Sequence, residues 1–165
     1  PAWWKDGINK DAPNARQKLT EMGEKHGDAW APVQEELGNR LDAAIRVLEG
    51  KLAERALADD KRTAEGLIKK VEAAEKQGNP AWWKDGINKD APNARQKLTE
   101  MGEKHGDAWA PVQEELGNRL DAAIRVLEGK LAERALADDK RTAEGLIKKV
   151  EAAEKQGNPA WWKDG

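Results

Sequence analysis

Cysteine, serine, phenylalanine and tyrosine are all absent from this 165-residue chain. Without cysteine there is no disulfide framework and no thiolate metal site, although the absence does not select a compartment, because secreted repeat proteins can also lack it. The inventory left for chemistry is thin. The chain holds 2 His in all, and an enzyme needs a nucleophile, a metal or an acid–base pair set in a pocket. No catalytic, cofactor-binding or metal-ligating residue is assigned.

An excess of one charge is lacking too. Lys and Arg number 29 against 31 Asp and Glu, well interspersed, for a net charge of −2. The electrostatic footprint expected of a nucleic-acid or anionic-membrane binder is therefore missing. No apolar run is long enough for a membrane span, so no membrane insertion is expected. Large aliphatics are scarce at about 16% of residues, which touches the range of disordered chains. The near-zero net charge and the regular spacing of those aliphatics argue for folding around a thin core. A unit so lean is expected to draw part of its stability from its neighbours.

What the chain does have is repetition. Residues 1–79 recur without a change as residues 80–158, and the first seven, PAWWKDG, return once more as residues 159–165. The expected domains are thus copy 1 (1–79), copy 2 (80–158) and a partial third copy (159–165) acting as a cap. The chain begins at Pro1 rather than Met, which suggests a segment cut from a longer array.

Within one copy the pattern is helical throughout, and the expected fold class is all-α. Asp11 and Pro13 read as the start of helix A, which carries Ala15, Leu19 and Met22 and stops at Gly27. Asp28 and Pro32 open helix B, whose apolar face runs from Val33 through Leu37, Leu41, Leu48 and Leu52 to about Ala58. Asp59 and Asp60 are expected to turn the chain into helix C, with Ala64, Leu67, Ile68, Val71 and Ala74 on its stripe and a stop at Gly78. Asn79 then caps a short Trp-Trp linker helix ended by Gly86. Gly38, Gly50 and Gly66 fall inside helices, where each is tolerated or serves close approach or bending.

The architecture expected is therefore tandem helical repeats, with three main helices and a short linker helix per copy. If A and C both pack antiparallel on B, copies stack side by side as a two-layer solenoid. The rival is an end-to-end rod of three-helix bundles, a pattern that resembles spectrin-like arrays. A side-by-side pair should measure on the order of 60 Å and a rod roughly 90 Å or more, which small-angle scattering separates.

Tryptophan is the one abundant aromatic, at Trp3, Trp4, Trp30, Trp82, Trp83, Trp109, Trp161 and Trp162. Adjacent helical residues point about 100° apart, so in each Trp-Trp pair one ring can enter its own copy while the other reaches the preceding one. Each indole buries up to about 250 Å². The pairs read as junction clamps, the last covering the edge of copy 2. Alternatively one Trp of each pair, with Trp30 and Trp109, makes a platform for a peptide or glycan.

Three further stretches invite chemistry and have plainer readings. Asp6, Asn9, Asp11 and Asn14 are rich in oxygen but miss the ligand offsets of a calcium loop. His26 follows Glu24 at the end of helix A, and it stands alone as a ligand. Lys61, Arg62, Lys69, Lys70 and Lys76, interspersed with Glu65, Glu72 and Glu75, read as the solvated face of helix C.

The function expected is non-enzymatic: a structural tandem-repeat segment of a longer array, serving as spacer, scaffold or filament-forming unit. Its expected partners are identical neighbouring repeats, including head-to-tail self-assembly. The alternative is a repeat binding module whose Trp-lined grooves take a peptide, glycan or lipid, with an unidentified protein or glycan partner. Cell surface, extracellular fibre and cytoskeleton are all compatible with either.

Overall fold

The computed structural model describes residues 1–156. The 159–165 cap, with Trp161 and Trp162, lies outside the described residues. The regular structure described is all helix: α1 (Ala2–Asp6), α2 (Ala12–His26), α3 (Ala31–Ala74), α4 (Pro80–Asp85), α5 (Ala91–His105) and α6 (Ala110–Lys155). None of these helices is long and apolar enough to cross a membrane.

The turns at Gly27 and Gly106 have one cause. Each glycine ends a helix at φ near 60° with ψ near −140°, a backbone region that residues with a Cβ avoid. A single 3-10 turn, Gly27–Trp30 or Gly106–Trp109, then leads into the long helix. The start of α4 also agrees with its residues: the Asn79 side-chain oxygen accepts from the Ala81 N–H at 3.0 Å, and Pro80 takes the first turn.

Two local expectations are corrected and a third is narrowed. Asp59 and Asp60 do not turn the chain, because α3 runs unbroken for 44 residues through both. Aspartate weakens a helix interior by well under about 1 kcal/mol, and neither Gly nor Pro is present between Lys51 and Glu65 to break it. Asp59 is held instead by Arg55 and Arg62, each 3.5 Å from its carboxylate, and its carbonyl accepts from Thr63 at 3.1 Å. Helix C is thus the end of helix B.

Secondly, neither Asp11 nor Asp90 caps a helix. Both have α-helical dihedrals and make no side-chain cap. The linker helix passes into α2 or α5 through one π-helical turn, Gly7–Asp11 or Gly86–Asp90. Pro13 and Pro92 follow these turns after a single alanine. In an unbroken α-helix a proline loses a hydrogen bond and strikes the carbonyl four residues back, and the wider turn relieves that conflict.

Thirdly, Gly38, Gly50 and Gly66 have open space where a Cβ would stand, so close approach does not explain them. The glycines that need closeness are Gly7 and Gly86. A Cβ on Gly86 would lie 2.7 Å from Leu127 and 3.2 Å from the Cβ of Ala74.

The chain forms two compact units whose boundary is not that of the sequence copies. The first is Pro1–Thr63, and the second begins at Ala64, inside α3. The last eleven residues of α3, although encoded in copy 1, belong to the core of the second unit.

Candidate interaction site where one copy meets the next

Within the second unit, residues 64–74 come against copy 2 at Gly86, Asp90 and Arg119. Ala64, Ile68, Val71 and Ala74 recur every three or four positions, so they form one stripe, and all four are buried. The socket they fill comes from copy 2: Trp83, Ala91, Ala94, Leu98, Met101, Trp109, Leu116, Leu120 and Leu127 are buried with them. Ile68 and Val71 are wholly excluded from water, a contribution of about 1.5–3 kcal/mol for each side chain.

Polar contacts at the edge set the register. Arg119 donates through Nε and Nη2 to both carboxylate oxygens of Glu72 at 3.1–3.2 Å. Lys70 Nζ lies 3.3 Å from Asp90. Both pairs are partly solvated and add little energy, but a forked guanidinium contact constrains orientation. Lys70 and Glu72, expected on a solvated face, instead make these contacts across the copy boundary. The signal that could have found them is their position beside Ile68 and Val71, at the margin of the buried stripe.

The tryptophans divide their roles within each pair. Trp83 is buried, and its indole N–H donates to the carbonyl of Gln77 at 2.9 Å, so it closes the end of the preceding helix. Lys130 stands over its ring, 5.3 Å from the centroid. Trp82 faces outward with 55% of its surface exposed, and Trp3 with 75%. Only Trp83 of this pair is buried.

Trp109 is buried in the socket, hydrogen-bonded to Gln113 at 3.1 Å and stacked on His105 at 5.7 Å. It is a core residue and offers no platform. Trp30 makes the same local contacts, to Gln34 at 3.0 Å and His26 at 5.8 Å, but remains half-buried. Asp6, Asn9, Asp11 and Asn14 lie on continuous helical backbone rather than a loop. Among the described residues no three His, Cys, Asp or Glu are grouped as a metal would require.

The same residues meet different surroundings in the first unit. Leu37, Leu41 and Leu48, counterparts of the buried Leu116, Leu120 and Leu127, are only half-buried there, as are Trp4 and Met22. Trp4 keeps its lysine, with Lys51 at 5.5 Å, but among the described residues its indole N–H has no acceptor. Beside it opens a shallow groove of about 380 Å³ lined by Trp4, Lys51, Glu54 and Arg55. In the far half of α6 the counterparts of the stripe are bare: Ile147 is 57% exposed and Val150 72%, against 0% for Ile68 and Val71.

Comparison with family models, with curated proteins and with solved structures finds no match for this chain.

Proposed function

We propose that the chain is a non-enzymatic structural segment of a tandem array, in which each copy lends the end of its long helix to the bundle of the next. The role is that of a spacer, scaffold or filament-forming unit. The observation that supports it is the offset between copy and compact unit: Ile68 and Val71, from copy 1, complete a core otherwise made of copy 2. A repeat that is incomplete without its neighbour suits a linear array, where stability is a sum of repeat and nearest-neighbour terms. The side-by-side solenoid loses its argument with the missing turn at Asp59, and the array reading does not depend on it.

Chains of two, three and four copies, unfolded in urea at high dilution, test the proposal. The midpoint is expected to rise with copy number towards a plateau. A midpoint independent of copy number rules the array out as a structural device.

The binding-module reading has two separate observations in its favour, the exposed rings of Trp3 and Trp82 and, in the first unit, the groove at Trp4. Titration with oligosaccharides and Pro-rich peptides, followed by Trp fluorescence, tests it. Saturable quenching lost in a Trp3→Ala, Trp82→Ala variant favours binding over spacing.

A further inference from the structure

Among the described residues the chain carries a half-covered socket and an exposed helix face, and each is a copy of a partner already joined in its second unit. The face lies on α6, where every residue from 132 to 156 is exposed. Its apolar stripe is Ala143, Ile147, Val150 and Ala153, the counterparts of Ala64, Ile68, Val71 and Ala74. The socket is in the first unit, where Trp4, Met22, Trp30, Leu37, Leu41 and Leu48 stand half-covered.

We infer that residues 143–155 of one molecule dock in the first unit of a second molecule of the same chain, as residues 64–74 dock in the second unit. This deepens the array reading and rests on it. The occupant follows from what buries the stripe where it is buried. Ile68 and Val71 share their core with Leu98, Leu116 and Leu120. Residues 159–165 repeat only positions 80–86 and contain no counterpart of those leucines. Within this chain that set occurs once more, as Leu19, Leu37 and Leu41.

Charge agrees with the docking. By the same register Glu151 meets Arg40, as Glu72 meets Arg119, and Lys149 meets Asp11, as Lys70 meets Asp90. None of these four residues has an ion-pair partner among the described residues. Ala153 would come against Gly7, whose bare Cα leaves the room that Gly86 leaves for Ala74. The contact is heterologous, so a docked molecule still presents one free face and one free socket, and association can continue.

Sedimentation equilibrium of the intact chain, from micromolar to millimolar concentration, tests this. The weight-average mass is expected to rise above 18.3 kDa with concentration. In an Ile147→Asp, Val150→Asp variant association is expected to weaken by about 100-fold or more, because the new carboxylates would be buried without partners. That variant keeps its monomeric fold, checked by far-UV circular dichroism, since both side chains are exposed in the single chain. Arg40→Glu weakens association, and adding Glu151→Arg to the same chain restores it. A mass of 18.3 kDa at every concentration, an equal rise in the Asp variant, or no rescue by the charge exchange overturns the docking. The copy-number series at high dilution involves no association between chains, so the array reading stands or falls separately.

Discussion

Ile68 and Ile147 are the same residue of the same repeat, and truncating each to Ala asks what the tertiary environment alone contributes. Ile68 is fully buried, while Ile147 is 57% exposed. Removing the side chain beyond Cβ forfeits roughly 0.8 kcal/mol for each buried methylene-sized group. The cavity left in this core brings the loss for Ile68→Ala to about 2–5 kcal/mol. At Ile147 the same atoms already meet water. The loss there is expected to stay within about 0.5 kcal/mol, partly offset by the better helix propensity of alanine. With a urea dependence of about 1–3 kcal/mol per molar, Ile68→Ala should lower the midpoint of the second unit by roughly 1 M or more. Ile147→Ala should leave it unchanged. The assay is urea unfolding at low micromolar concentration, read by far-UV circular dichroism and by the emission shift of buried Trp109. Equal shifts for the two variants would refute the view that residues 64–74 are core while their counterparts are surface.

The glycines separate by their surroundings: Gly86→Ala should destabilise by about 1–3 kcal/mol, because its Cβ meets Leu127 at 2.7 Å, and Gly66→Ala, in open space, should stabilise by about 0.5–1 kcal/mol. Thermal unfolding of both variants checks the difference in sign. At the junction Trp83→Phe should cost about 1–3 kcal/mol, since the carbonyl of Gln77 loses its indole donor, whereas Trp82→Phe should be neutral in the same denaturation assay.

Local chemistry alone determined a good part of this protein. The period of its aliphatics made it all helix, Gly27 and Gly106 stopped the chain where only glycine tolerates the dihedrals, and Asn79 began α4 with its own side chain. Two features were present in the sequence but outweighed by stronger local signals. Leu48, Leu52, Ala56, Asp60, Ala64 and Ile68 follow one another at four-residue steps, each a near neighbour of the last on the helix surface, and no glycine or proline interrupts the helix at the acidic pair that suggested a turn. The π turns were hidden because Asp11-Ala12-Pro13 looks like a helix start, and a wider turn that admits proline leaves no composition mark of its own.

What the sequence could not decide is which of two identical residues is inside. Gly7 and Gly86 have the same dihedrals to within a degree, as do Gly27 and Gly106 to within a few, because backbone conformation answers to near neighbours in the chain. Burial answers to whatever lies across the core. Leu116 and Leu120 are fully buried in the unit that also holds Ile68 and Val71, whereas Leu37 and Leu41 are half-buried in the first unit. Period and capping could therefore be read from one copy, whereas the socket, its ion pairs and the separate fates of Trp82 and Trp83 required the tertiary structure.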